Sequence, residues 1–137
     1  MHLHSTSKYA IRIMSYIANN DANMLFHAKN ISDELNIPYK FLTKIMSDLV
    51  KADLIISIRG REGGYKIAKD ATLIKVIDII TLFNDETEDD ECLLGIGRCN
   101  GEEICSMHDK WKEPKNLIKE MFENTSLKDL DGEDFKL

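Results

Sequence analysis

A stretch from residue 28 to residue 68 constrains the fold more than any other part of the chain. Residues 28–35 fit a short amphipathic helix, and the dipeptide Asn36-Ile37 makes a tight break after it. Pro38 suits the first turn of a further helix, to about Ala52, because its missing N–H would be unbonded there anyway. The apolar stripe of that helix consists of Leu42, Ile45, Met46 and Leu49. This order of elements predicts a helix-turn-helix.

A pair of short strands is predicted directly after the second of these helices. Residues 54–59 are rich in β-branched side chains, which favour strands. Residues 60–64 contain three glycines and suit a hairpin tip, and residues 65–68 return as the partner strand. A two-stranded wing after a helix-turn-helix predicts a winged helix.

Further helices are predicted on both sides of this unit. Residues 5–7 offer N-cap side chains to a first helix that ends near residues 19–21. Residues 24–26 are a short apolar run that suits either a small strand or core packing. Thr72 is the candidate cap of a fourth helix that ends at Phe83. This helix is apolar almost all round, so it must pack against other parts of the protein on more than one side.

The C-terminal part of the chain is predicted to form one long helix. An apolar stripe that begins at Trp111 runs to about Asn124, and residues 126–129 carry a capping pattern for a final turn. A lone amphipathic helix outside a small domain usually packs on a second subunit, so we expect a homodimer. The predicted fold class is mostly α with a small β wing: a winged helix-turn-helix head and a long C-terminal dimerisation helix.

The charge of the chain is distributed unevenly. The net charge is −6, but residues 1–70 carry a balance of +3 and residues 71–137 a balance of −9. A polyanion such as DNA would be attracted to the first part and repelled by the second. The acidic run at residues 85–91 is predicted to be a solvated linker.

All three cysteines lie between residues 92 and 108, spaced C-x6-C-x5-C, and a histidine follows as C-x2-H. Neither a signal peptide nor an apolar run of membrane-spanning length is present, so we expect a cytoplasmic protein whose thiols are reduced. Clustered thiols then indicate an iron–sulfur cluster, zinc or copper(I) more than core packing. Zinc sites usually contain C-x2–4-C pairs, which this loop lacks, so an iron–sulfur cluster is favoured and zinc remains an alternative.

Enzymatic activity is not expected. The sequence has no glycine-rich phosphate loop, no nucleophile elbow and no paired carboxylates in an apolar setting.

The chain resembles the Rrf-type family of bacterial winged-helix regulators, which includes the iron–sulfur cluster regulator IscR, the nitric-oxide sensor NsrR and the iron-responsive RirA. The resemblance covers nearly the whole chain. It rests on the opening helix (STSKYAIRIM), the helix-turn-helix (ISDELNIPYKFLTKIMSDLVKADLI), the wing (RGREGGY), the fourth helix and the three-cysteine loop. It implies a dimer that binds a palindromic double-stranded DNA operator and carries an iron–sulfur cluster.

The resemblance also implies roles for particular residues. Cys92, Cys99 and Cys105 would be cluster ligands, and His108 matches members with Cys3His ligation, which favours 2Fe–2S over 4Fe–4S. Nitric-oxide sensors of this kind can use an aspartate where this chain has Lys8, so nitric-oxide sensing is the less favoured alternative. The DNA-contacting residues are expected on the third helix and at the wing: Tyr39, Lys40, Thr43, Lys44, Ser47, Arg59 and Arg61.

We therefore predict a transcription regulator, most simply a repressor, whose DNA affinity depends on iron–sulfur, iron or redox status. A thiol- or zinc-responsive regulator is a further alternative. The expected parts are a winged helix-turn-helix DNA-binding domain (residues 1–84), a cluster-binding loop (85–108), a dimerisation helix (109–130) and a polar tail (131–137).

Overall fold

A computed structural model describes residues 3–20, 23–83, 92–99 and 102–131 of the chain. Seven elements of regular structure follow one another in these residues, and two short 3₁₀ turns lie at Ala71–Leu73 and Lys128–Leu130. The elements are α1 (Ser5–Ala18), α2 (Ala28–Leu35), α3 (Tyr39–Lys51), β1 (Ile55–Ile58), β2 (Gly64–Ile67), α4 (Val76–Phe83) and α5 (His108–Asn124). The mostly helical fold with a small β wing is confirmed. The acidic run at residues 85–91 and most of the tail lie outside the described residues.

The turn of the helix-turn-helix is held by local hydrogen bonds. Asn36 adopts the left-handed conformation (φ 52°), which asparagine tolerates better than most residues. The amide of Ile37 donates to the Ser32 carbonyl at 3.1 Å, and the Ser32 hydroxyl donates back to the Ile37 carbonyl at 2.6 Å. This reciprocal pair fixes how α3 leaves α2. The prediction of both helices from local pattern is confirmed within one or two residues.

The wing is a two-stranded antiparallel sheet in which Ile55 pairs with Ile67 and Ile58 pairs with Gly64. A further bridge joins Phe26 to Tyr65, with N–H···O distances of 2.9 and 2.8 Å in the two directions. The apolar run at residues 24–26 therefore supplies one bridging residue to the edge of the wing. This contact ties the wing to the segment between α1 and α2.

One continuous apolar core lies between α1, α2, α3, β1 and α4. Its fully buried members include Ile13, Met14, Ile31, Leu42 and Ile79. The Arg12 guanidinium donates to the Leu35 carbonyl and thereby satisfies a carbonyl at the C-terminal end of α2.

The segment after α5 returns to this core. The amide of Val76 donates to the Thr125 carbonyl and the amide of Leu127 donates to the Ile74 carbonyl, both at 2.9 Å. The side chain of Leu127 is fully buried in the core cluster. The C-terminal helix is therefore anchored to the head at its far end.

Two predictions of helix starts are wrong. Residues 5–7 lie inside α1, whose N-cap is His4, without a side-chain cap. Asp70 rather than Thr72 is the cap before α4, since its carboxylate accepts from the Thr72 amide at 2.8 Å. This cap belongs to a 3₁₀ turn. Between that turn and α4 the chain pairs with the segment after α5, so α4 starts only at Val76.

The capping pattern at residues 126–129 is confirmed. The Asp129 carboxylate accepts from the Ser126 amide at 2.8 Å, and the Asp129 amide donates to the Ser126 hydroxyl at 3.3 Å. In the parts of the chain that the structure describes, no helix is long and apolar enough to cross a membrane.

Candidate DNA-binding surface and cysteine site

The outward face of α3 presents most of the predicted DNA-contacting residues. Tyr39, Lys40 and Ser47 are exposed, and the Lys44 side chain is 80% exposed. Thr43 is half-buried, and its hydroxyl donates to the Lys40 carbonyl at 3.1 Å. The opposite face of α3 is fully used by the core. The structure thus brings these side chains together on the one face of the helix that can meet a ligand.

The wing tip presents the two predicted arginines, Arg59 and Arg61, to solvent. Its turn requires glycine for a steric reason. A Cβ at Gly63 would lie 2.0 Å from the Ile58 carbonyl oxygen, and a Cβ at Gly64 (φ +154°) would lie 2.9 Å from the Phe26 carbonyl oxygen. These glycines let the turn close and let the wing approach the Phe26 segment, which sets where both arginines lie.

Cys92 is the best-enclosed of the three cysteines, all of which are thiols. Hydrogen bonding from the Ile96 amide is the largest cause that lowers the pKa of Cys92, and the amides of Leu94 and Gly95 act in the same direction. The amide of Gly95 also donates to the Cys92 carbonyl at 3.0 Å, which closes a tight turn. This turn surrounds the sulfur with N–H groups that favour its thiolate form.

Cys105 lies in hydrogen-bonding contact with Cys92. This contact is the largest cause that raises the pKa of the Cys105 thiol, since the thiol donates to the Cys92 sulfur, and burial adds to it. Cys99 is close enough to Cys105 for its charge to raise the same pKa. The structure therefore pairs Cys92 with Cys105 and holds Cys99 nearby.

His108 begins α5, and its amide donates to the Cys105 carbonyl at 3.0 Å. Its side chain and Cys99 line one cleft of about 340 Å³, together with Lys112 and Lys115. Across the residues that the structure describes, no three His, Cys, Asp or Glu side chains are grouped so that they could hold a metal ion. Cys92 thus contacts Cys105, Cys99 lies near Cys105, and Cys99 and His108 both line a neighbouring cleft.

α5 keeps an exposed apolar stripe. Leu117 is 58% exposed and Met121 is 53% exposed, one turn apart on the same side of the helix. Pro114 lies inside this helix without ending it. The loop around the cysteines is also rich in exposed apolar side chains: Leu93, Leu94, Ile96 and Ile104.

One residue of the α3 surface was missed by reasoning from the sequence. Phe41 is 60% exposed, the most exposed aromatic side chain among the described residues. Its position off the apolar stripe of Leu42 and Ile45 was readable from the sequence and could have revealed it. Leu127 was missed as a core residue, and no local pattern indicates its burial.

A helix-turn-helix with an antiparallel wing and a polar, lysine-bearing second helix defines a winged-helix DNA-binding protein. The family model of the Rrf2 iron-dependent transcriptional regulators matches residues 3–132. The chain belongs to this family, and it is a transcription regulator rather than an enzyme. The family assignment made from the sequence is confirmed.

Relatives in sequence and in structure agree with this assignment. An HTH-type transcriptional regulator of Aquifex aeolicus is 35% identical over 127 residues, which is 91% of this chain and 88% of that protein. IscR of Vibrio vulnificus is 29% identical over 130 residues, which is 95% of this chain and 77% of that protein.

Among solved structures, CymR, the global cysteine regulator of B. subtilis, superposes with a TM-score of 0.81 at 25% identity and 95% coverage of both chains. IscR of T. potens superposes with a TM-score of 0.73 at 22% identity, covering 95% of this chain and 85% of that one, and supports the fold alone.

Proposed function

We propose that this chain is a cytoplasmic, homodimeric repressor whose affinity for operator DNA depends on an iron–sulfur cluster. Cys92, Cys99 and Cys105 would hold the cluster, with His108 as the fourth ligand. The observation that carries the proposal is the turn around Cys92, where three backbone N–H groups surround a sulfur that is paired with Cys105.

The donor chemistry of these residues fits such a cluster. Thiolates are the preferred ligands of iron–sulfur clusters, and N–H groups directed at the ligating sulfurs tune their reduction potentials. Imidazole is an accepted replacement for thiolate on one iron of a 2Fe–2S centre, so His108 favours that type over 4Fe–4S. When bound, the cluster would supply a redox-active and iron-dependent group at this site.

Cluster binding would require the four side chains to come closer together, since no three of them are grouped as metal ligands. Cys99 and His108 line a cleft of their own, whereas Cys92 and Cys105 are in direct contact. Because His108 is the first residue of α5, drawing it towards Cys92 would move the start of that helix. Cluster binding to the loop would thereby displace α5.

A continuous series of packed helices connects this displacement to the DNA-binding surface. α5 packs on α4, α4 packs on α1, and α1 packs on both α2 and α3. In a dimer formed through the exposed stripe of α5, a shift of this helix would change the spacing between the two α3 helices. The two half-sites of a palindromic operator require one particular spacing, so a change in spacing would alter the affinity of the dimer for the operator.

The cluster is tested by anaerobic purification, followed by an absorption spectrum and by measurement of iron and sulfide per chain. We expect near-equal iron and sulfide, with visible bands that dithionite bleaches, and the stoichiometry chooses between 2Fe–2S and 4Fe–4S. Zinc without sulfide would overturn the cluster. The control is Cys105→Ser, which should lose the iron and the bands while its circular dichroism spectrum matches that of the wild type.

The coupling is tested by operator binding of the cluster-loaded and cluster-free protein at the same salt concentration. Equal affinities would refute cluster control while leaving DNA binding intact. The dimer is tested by solution scattering, where a monomer mass at micromolar concentration would refute it. Rapid reaction of the cluster with nitric oxide, accompanied by release of DNA, would favour the nitric-oxide-sensing alternative.

A second candidate function is thiol sensing, favoured by the direct contact between Cys92 and Cys105. The structural similarity to CymR, named as a cysteine regulator, supports it. An oxidant such as a low-molecular-weight disulfide would take two electrons from the two thiols, which lose two protons and form one disulfide. Mass spectrometry of the colourless protein before and after such treatment would detect the loss of two hydrogens if this candidate is correct.

A further inference from the structure

Phe41 occupies an unusual position for a large apolar side chain. It is the third residue of α3, and its amide donates to the Pro38 carbonyl at 3.0 Å, which holds it in the first turn. The neighbouring Leu42 is fully buried, whereas Phe41 is 60% exposed. The core of the domain therefore does not use this ring.

The ring stands among cations on the surface that faces the proposed ligand. At about 100° per residue, Phe41 lies about 60° from Lys44 and about 100° from Lys40 around the axis of α3. Both lysines are exposed, and the Lys44 ammonium lies 3.6 Å from the Asp48 carboxylate. A partner that covers Phe41 must therefore also suit a basic surface.

DNA meets both requirements at once. Its phosphates match the lysines, and its major groove contains one projecting apolar group, the C5-methyl of thymine. The N-terminal residues of the second helix in a helix-turn-helix are those that contact base edges, and Phe41 is in the first turn. A second copy of this chain seated on Phe41 would instead bring two basic surfaces together.

We propose that Phe41 is a specificity-determining residue that packs against a thymine C5-methyl group in each half of the operator. This rests on the proposed DNA binding by α3. Deoxyuridine differs from thymidine only in that methyl group, so it isolates the contact. Burial of one such carbon contributes about 0.8 kcal/mol, so the removal of one buried methyl group corresponds to about a fourfold loss of affinity.

The experiment begins with the full-length wild-type chain, which selects its operator from a random duplex library. Each thymidine of the selected duplex is then replaced in turn by deoxyuridine, and affinity is measured by fluorescence anisotropy for the wild type, Phe41→Ala and Phe41→Leu. We expect one position in each half-site at which deoxyuridine weakens wild-type binding about fourfold. At that position the alanine variant should bind both duplexes equally, and the leucine variant should keep part of the difference.

Two results would overturn the proposal, and they are distinguishable. If every deoxyuridine duplex weakens the wild type and Phe41→Ala by the same factor, Phe41 does not contact a methyl group, and DNA binding stands. If the wild type selects no sequence and shows no salt-dependent binding, the proposed DNA-binding function fails together with this inference. Because the ring is mostly exposed, Phe41→Ala should melt at the wild-type temperature. If Phe41→Ala is less stable than that, Phe41→Leu supplies the same test.

Discussion

Replacing Leu127 with alanine tests the connection between the C-terminal segment and the head. The leucine side chain is fully buried, and its amide bonds to the Ile74 carbonyl. Substitution of a buried leucine by alanine costs about 2–5 kcal/mol, because it removes apolar packing and leaves a cavity. Unfolding a chain of this length has an entropy of about 0.3 kcal/mol/K, so a destabilisation of about 3 kcal/mol lowers the melting temperature by about 10 °C.

The assay is urea unfolding followed by circular dichroism at 222 nm, at one fixed protein concentration because dimerisation would shift the apparent stability. Leu73→Ala is the matched control. Leu73 is 69% exposed, so the same substitution there should change the free energy of unfolding by no more than about 0.5 kcal/mol. If Leu127→Ala is as mild as Leu73→Ala, the segment after α5 is not part of the core, and the reasoning is refuted.

Three further predictions concern α3, the wing and acid stability. Lys44→Ala should weaken operator binding. The slope of log affinity against log salt concentration should also become shallower, by about 0.9 for each phosphate that the protein no longer neutralises. Binding isotherms at several salt concentrations measure both effects. Gly63→Ala should lower both wing stability and operator affinity, since the new methyl group would lie 2.0 Å from the Ile58 carbonyl oxygen. Asp129→Asn should weaken the acid dependence of stability, because hydrogen bonding from the Ser126 amide and hydroxyl lowers the pKa of Asp129. This carboxylate stabilises the fold above the unfolded-state pKa near 4 and loses that effect as the pH falls through the lower folded-state value.

Each of these has a control or an outcome that contradicts it. Lys29 is exposed on α2 and bridges to Asp33 at 3.0 Å, so Lys29→Ala should leave operator affinity almost unchanged, and equal effects at both lysines would remove Lys44 from the DNA-binding surface. Ser57→Ala, at an exposed position of β1, introduces no close approach, so it should be milder than Gly63→Ala. Identical urea midpoints for wild type and Asp129→Asn across pH 2–5 would argue against the contribution of Asp129.

The helix-turn-helix and the wing could be predicted because their determinants are local. The spacing of Leu42, Ile45, Met46 and Leu49 orients α3 whatever surrounds it, and Gly60 and Gly63 are required by a turn within their own segment. The outward positions of Lys40 and Lys44 followed from the same spacing. The concentration of cysteines between residues 92 and 108 likewise needed no structure to suggest a soft-metal or thiol site.

The tertiary structure decided what depends on contacts between distant segments. α4 begins at Val76 because Ile74 and Val76 hydrogen-bond to Leu127 and Thr125, about fifty positions further along the chain, and no local pattern encodes such a pairing. The sequence spacing of the cysteines could not show that Cys92 contacts Cys105 while Cys99 shares a cleft with His108. Local periodicity determined the elements and the face that each one buries. Which distant segments meet was decided by the folded chain, because long-range pairing depends on the fit of whole surfaces.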